Sequence, residues 1–249
     1  MSGLVIFPGS GEGYGEAGAS YRRRALRGFN AKSGSTREDI DLNNQILRER
    51  ARMLYMAAPI ASSAIKTPRT NAIGMGLKMN PKIDREVLGL GAEEADFWEK
   101  KTKAEFALWA EDKSACDAAG MNNFYGLQQL CFMSWLVSGD VFILKKQRKE
   151  TKWHPYSLRL QVIEADRCAT PESTGVLHVT EAKWGKNTIH DGVEVNPDGM
   201  VVAYHFRNKH PYEITTEDLK YTRVLAYGEK TGLPNVMHIM NAERPEQYR

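Results

Sequence analysis

The chain has 249 residues and a mass of 28.1 kDa, with 34 basic and 31 acidic side chains and a formal net charge of +3. Apolar residues make up 42% and charged residues 26%, which excludes a mainly disordered chain. The near balance of charge argues against a protein that coats nucleic acid with a whole basic face, and the longest apolar stretch, Leu130 to Leu144, is broken by Ser134, Ser138, Gly139 and Asp140 and is too short to span a bilayer.

Residues 1–34 read as a flexible Gly/Arg-rich arm. Gly9-Ser-Gly-Glu-Gly-Tyr-Gly15 is costly to order, and Tyr21-Arg22-Arg23-Arg24-Ala-Leu-Arg27 is basic with few apolar anchors, so the arm is expected to order only against a partner. Nothing before Leu4-Val-Ile-Phe7 supplies the basic start of a secretory signal.

Residues 35–139 read as helical. Ser35, with Glu38 three residues on, has capping-box spacing. Ile40, Leu47, Ala51, Leu54 and Ala58 predict an apolar face, opposite Arg48, Glu49, Arg50 and Arg52. Pro59 suits the first turn of a second helix, Ile60 to about Thr67, which Pro68 ends or kinks. Ile73-Gly-Met-Gly-Leu-Lys-Met79 reads as a short extended piece. A third helix is predicted from Ala92 to Glu111, with Trp98, Thr102, Phe106 and Trp109 on one face. A fourth follows Gly120-Met-Asn-Asn, carries Leu127, Leu130, Cys131 and Trp135, and ends at Gly139.

Residues 140–249 read as β-rich. Val141-Phe-Ile-Leu144 predicts a buried strand, and Leu158, Leu160 and Val162 alternate with Arg159 and Gln161 as a strand with one wet face. These two should pair antiparallel, projecting Lys145, Lys146, Arg148, Lys149 and Lys152 from the loop between them. Asn196-Pro-Asp-Gly predicts a hairpin between Val193-Glu-Val and the strand from Met200, and Val236-Met-His-Ile-Met a last strand. Helices followed by strands define an α+β fold, N-terminal helices leading into a mainly antiparallel β region.

Several motifs bear on chemistry. Gly13-Tyr-Gly15-Glu-Ala-Gly18 has dinucleotide-site spacing, but Pro8 to Glu12 separate it from Leu4-Val-Ile-Phe and no second strand follows, so a linker is the better reading. Ser63-Ala-Ile-Lys66 with Lys230-Thr-Gly232 matches two of three motifs of penicillin-recognising serine acyl enzymes, but the Ser-Asp-Asn motif between them is missing. Gly228-Glu-Lys-Thr lacks the glycine-rich lead of a phosphate loop. His154, His178, His190, His205, His210 and His238 show no metal-ligand spacing. Cys116, Cys131 and Cys168, odd in number and sparse, predict reduced thiols in a cytoplasmic setting. No catalytic residue, cofactor or metal is expected. The basic residues Lys145, Lys146, Arg148, Lys149, Lys152, Arg22, Arg23 and Arg24 are the candidate contacts to a neighbouring subunit or to DNA.

Taken in order, the segments resemble the portal proteins of lambda-type tailed bacteriophages. Arg48-Glu-Arg-Ala-Arg-Met-Leu, Ala58-Pro59, Asn71-Ala-Ile-Gly74-Met-Gly76-Leu, Phe106-Ala-Leu-Trp109-Ala, Asp117, Asn123-Phe-Tyr-Gly-Leu-Gln and Ser138-Gly139-Asp140-Val-Phe carry the resemblance through the helices. Asp166-Arg, Gly192-Val-Glu-Val, Asp198-Gly-Met-Val-Val-Ala-Tyr204, Met237-His-Ile and Arg244-Pro-Glu-Gln-Tyr-Arg249 continue it. Pro68 departs from it, standing where uninterrupted helix is expected. The resemblance implies a non-enzymatic structural protein. Twelve subunits would form a ring at the portal vertex of the virion, assembled in the host cytoplasm. The ring would be a channel for DNA packaging and ejection that docks terminase and head-completion proteins. The family pattern runs on into further helices, so the chain reads as the N-terminal part of such a subunit, monomeric or polydisperse on its own. The rival readings are a serine acyl enzyme using Ser63, Lys66 and Lys230, and an oligomeric scaffold with no DNA role.

Overall fold

The computed structural model describes residues 24–26, 28–29, 32–173, 179–214 and 218–249. The chain divides into two units, Met1–Ser35 and Thr36–Arg249. In the first, Arg24–Leu26 forms one turn of 3-10 helix with Arg24 exposed. Arg22, Arg23 and the glycine motif at 13–18 lie outside the described residues.

The second unit is α+β. A π-helical turn, Arg37–Asp41, runs into α1 (Leu42–Ala57), followed by α2 (Pro59–Ala72), α3 (Arg85–Leu88), α4 (Ala92–Glu111), α5 (Lys113–Cys116) and α6 (Phe124–Ser138). Strands follow: β1 (Asp140–Gln147), β2 (Leu158–Glu164), β3 (Glu181–Trp184), β4 (Asn187–His190), β5 (Val193–Val195), β6 (Val201–Arg207), β7 (Tyr221–Leu225) and β8 (Val236–Met240). One sheet has the order β2-β1-β8, the other β3-β4-β5-β6-β7, and every pairing is antiparallel.

β1 explains the layering. Its alternate side chains enter two different cores. Val141 and Ile143 pack with Trp109, Cys116, Leu127 and Cys131 of the helices. Phe142 and Leu144 pack with Val193, Tyr204 and Phe206 of the five-stranded sheet. β1, the central strand of the three-stranded sheet, is therefore buried on both faces, which is why Val141–Leu144 is an unbroken apolar run. Each fully buried side chain of this run contributes roughly 1.5–3 kcal/mol relative to exposure.

Where local rules suffice, the elements stand as the sequence predicts. α4 spans Ala92–Glu111, and Glu94 accepts from the Gly91 N–H at 2.9 Å. α6 is capped by Asn123, which accepts from the Gly126 N–H at 2.9 Å, and ends at Gly139 with φ 87°. In the Asn196 turn, the Asn196 side chain accepts from the N–H groups of Asp198 and Met200 at 3.0 and 2.9 Å.

Other expectations are corrected. The helical run from Thr36 through α1 presents Asp41, Asn44, Arg48, Arg52 and Tyr55 inward; of the predicted apolar face, Leu47 and Leu54 are exposed, whereas Ile40, Ala51 and Ala58 are half-buried. The helical run starts at Thr36, whose hydroxyl donates to the Pro245 carbonyl at 2.9 Å and does not cap. α2 continues through Pro68 to Ala72. Ala64, whose carbonyl loses its helical donor there, is exposed, so water can satisfy it. Residues 73–75 turn and residues 76–79 are irregular rather than strand. On β2, Arg159 is buried, its guanidinium donating to the carbonyls of Ala115 and Tyr156, whereas Leu158 is exposed. β1 runs to Gln147, so Lys145 and Lys146 lie on the strand rather than in the loop.

Candidate functional site

Arg48 and Arg52 turn inward on α1 because three aspartates meet them. Asp140 opens β1, Asp166 lies in a 3-10 turn after β2, and Asp191 lies in the turn between β4 and β5. Arg48 places Nη2 3.3 Å from Asp191 Oδ2, Nη1 3.9 Å from Asp140 Oδ1 and Nε 4.0 Å from Asp166 Oδ1. Arg52 pairs with Asp166 and donates to Ser138 Oγ at 3.0 Å. Arg249 completes the cluster. Its Nε and Nη2 donate to the two Asp140 oxygens at 2.8 and 3.3 Å, and its Nη1 to Asp191 Oδ2 at 3.0 Å. It also donates to the carbonyls of Cys168, Asp191 and Ala165 at 2.6, 2.8 and 2.7 Å, with its guanidinium 5.2 Å above the Phe142 ring. Three guanidiniums face three carboxylates, and the low dielectric of the site makes each pairing strong only because the others complete it.

The turn that delivers Asp191 is a tight one. Asp191 has φ 44° and Gly192 φ 87°, between strands paired at His190 and Val193. A Cβ on Gly192 would lie 2.5 Å from the Ala169 nitrogen, so only glycine fits. Asp-Gly between two short strands is the sequence signal that could have located this hairpin.

Two carboxyl groups, Asp140 in the cluster and Asp41 beside it, titrate away from the usual range. Burial works against the Asp140 carboxylate, but Arg249, His238 and Arg48 outweigh it and hold the group well below the usual carboxylate range. Asp41, at the inner end of the helical run, is pushed up to about 6 by burial and by Asp191, against Arg249 and Arg37. Its raised folded pKa means that its contribution is fully present below about pH 4 and is lost as pH rises through about 6. Asp41→Asn should therefore raise stability at pH 7.5 by about 1 kcal/mol, allowing for solvent screening, and the gain should vanish near pH 4. Urea unfolding at the two pH values checks this, and an equal effect at both would contradict it.

A second node lies in the five-stranded sheet. Glu194, fully buried, accepts from Arg223 Nε and Nη2 at 2.7 and 2.9 Å, from Asn187 Nδ2 at 2.6 Å, and lies 3.0 Å from His205 Nε2. Burial opposes the carboxylate, but these partners bring it down to about 2.

The basic residues near the first hairpin are brought together in part. Lys145 is half-buried opposite Leu160, and Lys146 is exposed opposite Arg159. Arg148, Lys149 and Lys152 are exposed in the connection, where the Thr151 and His154 backbones pair and Lys152 lies 5.8 Å over the Trp153 ring. Trp153 is itself 82% exposed.

The acyl-enzyme residues gain no support. Ser63 and Lys66 are exposed on α2, Lys66 lies 5.9 Å over the Tyr55 ring, and Lys230 sits in a turn after β7 rather than on a strand. Glu164, Asp166 and His210 do converge with metal-like spacing, a grouping that the sequence did not reveal. The Arg52 guanidinium already sits on the Asp166 carboxylate, however, and would repel a cation. The three cysteines are buried free thiols, and burial pushes them up to about 11 at Cys116 and about 12 at Cys131 and Cys168. They are thiols rather than thiolates at neutral pH, and so poor nucleophiles. No helix among the described residues is long and apolar enough to cross a membrane.

Charged side chains thus brace α1, both sheets and the segment after β8 against one another. The sequence pattern of the phage portal proteins of the lambda family matches residues 22–249. The chain belongs to that family, which is structural rather than enzymatic and whose members are ring-forming subunits of the phage capsid. No curated protein sequence matches the chain.

Proposed function

We propose that the protein is the portal subunit whose ring forms the channel for genome packaging and ejection and docks the terminase and head-completion proteins. The observation that carries this reading is the family match from Arg22 to Arg249, which spans every helix and both sheets among the described residues. The braced core supports it, because a ring that transmits motor force needs layers that do not slide.

Within that role, the β1–β2 hairpin tip is a contact to the adjacent subunit. Its exposed cations and Trp153 combine charge with a large amphipathic ring, a composition suited to protein interfaces. A channel lining that gripped phosphate strongly would retard DNA. Reversing Lys146, Lys149 and Lys152 to Glu should lower ring yield at low salt, on the order of tenfold, more than it alters DNA affinity. Ring yield is read by electron microscopy and affinity by filter binding. Normal rings with reduced DNA affinity would place the hairpin against DNA instead.

A further inference from the structure

We infer that one ordered water molecule binds between the end of β6 and the turn after β2, held by Arg207 and by the carboxylates of Asp166 and Asp191. The inference concerns a single subunit and stands apart from the ring reading.

Arg207 differs from the other buried guanidiniums of this region. Arg48, Arg52 and Arg249 each meet a carboxylate directly. Arg207, the last residue of β6, is 4% exposed, yet its side chain forms no ion pair or hydrogen bond among the described residues, and its Nε is fully buried. Its backbone is fixed in place. It pairs with Tyr221 of β7, and its carbonyl accepts from Arg167 Nε and Nη2, each at 3.1 Å. Burial pushes the guanidinium below its usual range, while Tyr221, Asp166 and Asp191 act in the opposite direction. A buried N–H without an acceptor is costly, and folded proteins supply one from the chain or from ordered water.

Arg207 forms part of the wall of a small cavity of ≈ 10 Å³, the volume that just holds one water molecule. Arg48, Asp166 and Asp191 line it as well, with the half-buried Gln45 and Pro211. Asp166 Oδ2 is ion-paired with Arg52 but, among the described residues, accepts no directed hydrogen bond. The site therefore offers a donor at Arg207 Nε and an acceptor at Asp166 Oδ2, the two kinds of partner that a bound water needs.

The charges select the ligand. Two cations and two carboxylates line the cavity. An anion would be repelled by Asp166 and Asp191, and a cation by Arg48 and Arg207. A neutral molecule that both accepts and donates satisfies the two signs together. Water accepts from Arg207 Nε and donates to Asp166 Oδ2 and to the Asp191 carboxylate. It thereby ties the five-stranded sheet to the turn after β2 and gives Arg207 a place in the brace.

The test is a high-resolution crystal structure of the full chain, with a second crystal soaked in bromide. The map should show one peak within hydrogen-bonding distance of Arg207 Nε and Asp166 Oδ2, with no anomalous signal from bromide. A bromide peak there would make the site an anion site. Arg207 seated directly on a carboxylate, with no peak between them, would remove the site. Either result overturns the inference. In Arg207→Met, which keeps a long side chain but has no donor, the peak should be lost, and an undiminished peak would show that Arg207 does not hold it. Should that variant fail to fold, NMR of the wild type decides. The Arg207 Hε proton should show a nuclear Overhauser cross-peak to a long-lived water, and its absence would overturn the inference.

Discussion

Asp140→Ala is expected to cost about 3–5 kcal/mol, because it leaves Arg249 and Arg48 buried with too little negative charge around them. Both guanidiniums are almost inaccessible to water, with side-chain exposures of 1% and 6%. His238, 3.2 Å from Asp140 and stacked on Phe142 at 4.2 Å, loses its partner as well. The pH dependence has a definite sign. The folded carboxylate titrates below its unfolded range, so its contribution is present above about pH 4 and lost as pH falls further. His238, lowered chiefly by burial, acts in the same direction. The difference between wild type and variant in urea unfolding should be full at pH 7 and shrink below about pH 4. A loss of under about 1 kcal/mol at pH 7 would mean that the cluster is not a brace.

Arg223→Ala should be nearly as damaging, at about 3 kcal/mol, although Arg223 itself is a third exposed. The damage falls on its partner, the fully buried Glu194, which keeps only Asn187 and His205. With Arg223 gone, the Glu194 pKa should rise from about 2, and the acid-unfolding midpoint should move to higher pH. Lys100→Ala is the control. Its pair with Asp96 is just as short, at 2.7 Å, but the side chains are 76% and 61% exposed, and its loss should leave the unfolding midpoint essentially unchanged. Equal effects from the two variants, in thermal or urea unfolding, would show that burial is not the deciding factor.

These two nodes mark where sequence reading stopped. Elements governed by neighbours in the chain were legible: the length of α4, the Asn123 cap and Gly139 exit of α6, the antiparallel pairing of β1 with β2, and the Asn196 turn all follow from signals within a few residues. The face of α1 was not. Arg48 and Arg52 look like a solvated stripe in any helical window, and what reverses them is the arrival of Asp140, Asp166 and Asp191 from far along the chain. Arg159 was misread for the same reason, since its acceptor at Ala115 precedes it by 44 residues. Of the basic run, Arg148, Lys149 and Lys152 lie in the β1–β2 connection, but the strand pairing of β1 carries Lys145 and Lys146 out of the loop. The family resemblance survived these errors because it rested on the order of segments rather than on the orientation of any one helix.

The most direct test of a portal role is where the protein sits in the particle. Antibodies raised against residues 36–249 and detected with gold on capsids opened at their vertices should label a single vertex per particle. Label on every vertex, or none above background, would contradict a portal subunit.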